Sequence, residues 1–125
     1  MNIGPSPAQS GSYSFAVPAG KRLVIEYFNA TTDVKTGNNT MFHITTRILP
    51  ASSRQDSIIQ LPAIRQVPTI LSGVQRFFVS ERILCYADPN TNVEVTMFRG
   101  MPPGTTTTLG QHGNVQLAGY MIDVP

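Results

Sequence analysis

A chain of 125 residues is long enough for one domain with a core of its own. Its charged fraction of 13% falls well below the ~25% usual in soluble domains. Nine basic and seven acidic residues leave a formal charge of +2. The cations Lys21, Arg22, Lys35, Arg47, Arg54, Arg65, Arg76, Arg82 and Arg99 are scattered, so they read as solubility charges and not as the basic stripe of a nucleic-acid reader. No apolar run nears the ~20 residues of a membrane span, and a single cysteine excludes an internal disulfide.

Residues 1–12, MNIGPSPAQSGS, show no basic segment followed by an apolar one, so no signal peptide is visible. They read as a flexible lead into a single domain over 1–125. SYSFAV then puts Tyr13, Phe15 and Val17 on one side, the period of a strand. In VPAG, Pro18 at the second turn position and Gly20 at the fourth fit a type I turn. A phosphate loop would need a glycine where Phe15 stands and a hydroxyl residue where Arg22 stands. The turn feeds RLVIEYFN, in which strict alternation places Leu23, Ile25 and Tyr27 opposite Val24, Glu26 and Phe28.

A loop is expected over 30–40, followed by MFHITTRIL with Phe42, Ile44, Thr46 and Ile48 on one face. After a loop over 50–56, further strands fall at 57–61, 75–79, 83–87, 92–99 and 114–124, rich in β-branched and aromatic residues. Pro62 and Pro68 argue against a central strand between them, because proline donates no ladder hydrogen bond. ADPN sets Asp88 before Pro89 and Asn90, a type I order expected to close a hairpin. The stretch over 101–113 is too rich in glycine, proline and threonine for a sheet. About eight short strands and no helix make this an all-β chain: an antiparallel β-sandwich, jelly-roll-like.

Chemistry is sparse. His43, His112 and Cys85 have no metal-motif spacing, so no metal or other cofactor is expected. Cys85 in RILCYADP sits mid-strand, where a small buried residue is the default and an activated thiolate the exception. No serine has the GxSxG context of a nucleophile elbow. Glu26, Asp33, Asp56, Glu81, Asp88, Glu94 and Asp123 are the carboxylates from which a glycosidase pair would be drawn, with Asp88 already serving a turn. Phe28, Phe77, Phe78, Phe98 and Tyr120 include candidate carbohydrate platforms, although core packing is the commoner task of such residues. NAT at Asn29 and NNT at Asn38 match the glycosylation acceptor pattern. No catalytic, cofactor-binding or metal residue is assigned.

Three segments, FAVPAGKRLVIEYFNA, LCYADPNTNVEVTMFR and LAGYMIDVP, resemble in this order those of small bacterial secreted proteins with no established activity. The resemblance covers strand-and-turn segments and transfers no functional residue. It implies an exported β-sandwich, extracellular or periplasmic. Gly119 in the last segment marks a close approach or a bulge.

The expectation is therefore a non-catalytic extracytoplasmic module for binding or assembly. Its rivals are a carbohydrate-binding or carbohydrate-processing domain, and a virion or surface-layer component. Several strands are apolar on both faces, which points to self-association as a dimer or trimer. The contact is expected through residues 62–73 or the outer face of the strand over 23–29. A carbohydrate or other surface ligand is the alternative partner.

Overall fold

A computed structural model describes residues 2–3, 10–35, 39–48, 55–66, 73–100 and 112–125. Among the described residues nine strands are formed: β1 (Asn2–Ile3), β2 (Ser10–Ala16), β3 (Lys21–Lys35), β4 (Asn39–Ile48), β5 (Gln55–Pro62), β6 (Ile64–Arg65), β7 (Val74–Ala87), β8 (Asn92–Gly100) and β9 (His112–Asp123). They make two antiparallel sheets, one ordered β1-β9-β3-β7-β6 and the other β2-β8-β4-β5. Except from β4 to β5 and from β6 to β7, each step along the chain crosses between sheets. This is jelly-roll connectivity, with no helix among the described residues.

The core lies where the inner faces meet. From the first sheet come Leu23, Ile25, Phe28, Ala30, Val79, Cys85, Ala87 and Val115. From the second come Phe42, Ile44, Leu61, Val93, Val95 and Met97. Phe28 and Phe42 join the sheets through a tilted ring pair with centroids 5.7 Å apart. Such pairs add about 0.5–1.5 kcal/mol to the burial of the rings themselves. The alternation expected for β4 holds, with Phe42, Ile44 and Thr46 buried.

β3 departs from its expected alternation. Its register shifts between Ile25 and Tyr27: Glu26 is an extra residue against the adjoining Ala118 and Gly119 of β9, and stands alone opposite Ile83 and Leu84 of β7. One extra residue reverses the faces beyond it. Phe28 therefore joins Leu23 and Ile25 inside, while Tyr27 turns outward with Val24. Opposite the bulge stands Gly119, where a Cβ would lie 2.0 Å from the Val24 carbonyl oxygen. The close approach expected at this glycine is the bulged backbone of β3.

Four boundaries also differ. β3 runs on through 30–35, where a loop was expected, because Ala30, Thr32 and Val34 continue the buried face after the phase change. The strands expected at 75–79 and 83–87 are one, β7, since Ser80, Glu81 and Arg82 supply no turn residue. Within the lead expected over 1–12, Asn2–Ile3 pairs with β9 and β2 begins at Ser10. Short β6 occupies part of 62–73 as an edge strand, consistent with the flanking proline. The expected loops over 50–56 and 101–113 fall largely outside the described residues.

Both turns are corners between sheets. Asp88–Thr91 carries the chain from β7 to β8 across the sandwich, so it closes no hairpin. Asn90 has φ 59° at the third position behind Pro89, the type II arrangement and not type I. In the other corner Lys21 N–H bonds the Pro18 carbonyl at 3.3 Å, making Pro18 the first residue and Gly20, with φ 70°, the third. The corners are tied together. Val17 N–H bonds the Thr91 carbonyl at 2.8 Å, Asn90 N–H bonds the Val17 carbonyl at 3.0 Å, and the Arg22 guanidinium donates to buried Asp88 at 2.7 Å.

Candidate functional site

The outer face of β9-β3-β7 follows from the alternation of the three strands. Rows across it read Ile122–Arg22, then Tyr120–Val24–Tyr86, then Ala118–Tyr27–Arg82, then Gln116–Asn29–Ser80, and finally Asn114–Thr31–Phe78. The second row is wholly apolar, between rows that carry Arg22 and Arg82. Val24 is only 2% exposed although it faces away from the core, because Tyr86 and Tyr120 flank it in register. Around it Tyr27, Tyr86, Tyr120 and Ile122 are each 37–51% exposed, and Leu84, beside the bulge, 62%. At 150–250 Å² per aromatic side chain, these five expose roughly 500 Å² of largely apolar surface.

Farther along the same face the character changes. Asn29, Thr31, Asn114 and Gln116 surround a depression of about 340 Å³, with the Asn29 amide donating to the Gln116 side-chain oxygen at 3.4 Å. Tyr27 and Phe78 stand on its β7 side, Tyr27 sharing a hydrogen bond with Ser80. At the next row Arg76 grips Asp33 through two bonds of 2.7 and 2.8 Å. That hydrogen-bonded carboxylate raises the guanidinium pKa, so the pair presents little net charge.

The residues expected to carry chemistry are dispersed. Among the described residues no three His, Cys, Asp or Glu side chains converge. Cys85 is in the core, and burial pushes its thiol up to about 11 from an ordinary 9.0, leaving it protonated at neutral pH. The depression at Asn29 contains no carboxylate, and neither does one of about 400 Å³ bordered by Tyr13, Phe15 and Leu117. Four carboxylates serve ion pairs: Asp33 with Arg76, Asp56 with Arg47, Asp88 with Arg22 and Asp123 with Lys21. These four cations, read from sequence as solubility charges, act as cross-strand and corner ties.

Of the aromatic candidates, Phe28 and Phe77 are core residues. Phe78 and Tyr120 are exposed on one face but at opposite ends of it. Phe98 lies on the other sheet, its ring 4.4 Å from that of His43, whose Nε2 is buried without a hydrogen-bond partner. Asn29 sits in the middle of β3, while Asn38 falls outside the described residues. Sequence reasoning missed Tyr27, Leu84 and Tyr86 as a group. The available signal was the odd parity of Tyr86 and Leu84 against Cys85 in one uninterrupted strand.

No protein-family model, curated protein or solved structure matches this chain.

Proposed function

We propose that this chain is a non-catalytic β-sandwich module for binding or assembly, and that it self-associates through the apolar end of the β9-β3-β7 face. The observation that carries this is the cluster of Tyr27, Leu84, Tyr86, Tyr120 and Ile122 around Val24. The patch falls in the upper part of the about 300–600 Å² spanned by the largest apolar patch of a typical monomer, a patch that is often functional, and tyrosine is enriched where interfaces form. An extracytoplasmic setting follows only from the resemblance to small secreted bacterial proteins. A thiol locked in the core and the ion pairing of Asp33, Asp56, Asp88 and Asp123 favour docking over chemistry.

Sedimentation velocity at micromolar concentration tests the reading. Wild-type protein is expected at two or three times the 13.6 kDa chain mass. Tyr86→Arg is expected to run as a monomer with an unchanged far-ultraviolet spectrum, since the introduced charge is solvated only when the face is free. A wild-type monomer would remove the assembly reading. An assembly that survives both Tyr86→Arg and Leu84→Arg would place the contact elsewhere.

A further inference from the structure

We infer that the polar end of the same face is a binding site for a neutral glycan. The inference rests on the reading of this chain as a binding or assembly module and adds the ligand class. Asn29 and Gln116, with Thr31 and Asn114 in the next row, set four uncharged amide and hydroxyl side chains around one depression. Its volume of about 340 Å³ lies in the lower part of the range for small-molecule sites.

Each lining group suits a sugar hydroxyl. An amide offers two N–H donors and a carbonyl acceptor, and a threonine hydroxyl both donates and accepts, matching a ligand whose every hydroxyl does the same. On the β7 side the partly exposed rings of Tyr27 and Phe78 border this polar floor. The electron-rich face of an aromatic ring attracts the slightly positive C–H groups on the flat side of a pyranose. The depression and the rings beyond it, Tyr27 one row away on β3 and Phe78 across from Thr31 on β7, together suit both halves of a sugar: hydroxyls for Asn29, Asn114 and Gln116, and the C–H face for a ring.

Charge narrows the class. No ionisable side chain lines the depression; of the two rows that flank it, one holds Asp33 and Arg76, bound to each other by two short bonds, and the other holds exposed Arg82 beside Tyr27. Within the depression itself an acidic glycan would meet no cation, and an ammonium ligand no carboxylate. The same neutrality leaves no acid or base to cleave a glycosidic bond, so the site binds and releases its ligand unchanged.

Affinity electrophoresis in native gels containing soluble β-glucan, xylan, mannan or starch, with polygalacturonate as the acidic control, tests this directly. At least one neutral polysaccharide is expected to retard the wild-type chain, and polygalacturonate is not. Asn114→Ala combined with Gln116→Ala should weaken the retardation about tenfold or more, as loss of hydrogen bonds that bind a ligand does. Phe78→Ala, which removes a ring outside the assembly cluster, should do the same, and Gln60→Ala on the opposite sheet should change nothing. Absence of retardation by all four neutral polysaccharides overturns the inference, as does retardation that survives the double substitution or appears only with polygalacturonate. Sedimentation of the same samples keeps the two readings apart: an assembled chain that no neutral glycan retards loses the glycan site and keeps the module.

Discussion

The two outer faces of this sandwich share one core and differ in almost everything else. The face of β9-β3-β7 carries six large exposed apolar side chains: Tyr27, Phe78, Leu84, Tyr86, Tyr120 and Ile122. On the outer face of β2-β8-β4-β5 the rows read Ser10–Phe98–Met41–Pro62, whose Phe98 and Met41 are half-buried, then Ser12–Thr96–His43–Gln60 and Ser14–Glu94–Thr45–Ile58. Among the described residues Ile58 is the only large apolar side chain of that face in the exposed class. An antiparallel sheet with one face in water normally shows the second pattern. Burial inside a single chain does not explain the first, and this is the face we propose as the docking surface. The lesson is local: folding demands only the inner faces, so the outer faces are free to record what the protein meets.

The comparison is sharpened first where the faces cease to matter. Phe28→Ala removes the ring that meets Phe42 and is expected to cost about 3–5 kcal/mol in chemical denaturation, whichever face docks a partner. A loss below 1 kcal/mol would show that the two sheets are not joined there. Next comes the bulge that assigns residues to faces. Gly119→Ala drives a Cβ into the Val24 carbonyl and is expected to cost about 1–3 kcal/mol, because the obstacle is backbone and cannot swing aside. A neutral substitution would mean that Glu26 is not bulged and that Tyr27 faces inward after all.

The faces themselves are compared by Val24→Ala against Ile58→Ala. Val24 is buried on the outside of its sheet, so the monomer should lose about 1 kcal/mol, while exposed Ile58 should change stability by less than ~0.5 kcal/mol. Equal losses would erase the distinction between the two faces. A separate effect is expected at high pH. Between about 9 and about 11 the folded chain keeps the Cys85 proton that the unfolded chain has released, so stability should fall as pH rises through that window. Cys85→Ala should flatten the slope there. A thiol reagent should label native Cys85 slowly and denatured Cys85 at once; rapid native labelling would move the thiol out of the core.

Much of the fold was legible because β4 obeys a strict period of two and the corner residues Pro18, Gly20, Pro89 and Asn90 mark where strands end. The bulge was not, because Leu23 to Phe28 reads as six residues of unbroken alternation and only the partner strand forces the extra residue. Gly119 carried that information, but it lies 93 positions from Glu26, and pairing across such a distance is invisible to a local pattern. The crossing of the corners was hidden for a related reason: a tight turn looks the same whether it returns the chain to its own sheet or sends it to the other. The candidate face was half legible. A doubly apolar strand over 23–29 pointed to it, but Leu84, Tyr86 and Tyr120 join it only through register with β3.

That register has a kinetic consequence. β3 is the long central strand of its sheet, and its partner on one side is β9, the last strand in chain order: Lys21 meets Asp123, 102 positions later. The β2–β8 pair likewise spans most of the sequence, and the β4–β5 and β6–β7 pairs are the local exceptions among the described strands. Chains dominated by distant pairings fold slowly, because the entropy of closing large loops is lost before the contacts that offset it are made. During synthesis β3 can pair with β7 while one whole edge of it still waits for residues 112–123 to emerge. Until then that edge presents a row of unpaired backbone groups beside Ile25, Phe28 and Ala30, an open template for another nascent copy. The final strand thus acts as a latch, and the interval before it closes is when the chain is most exposed to aggregation.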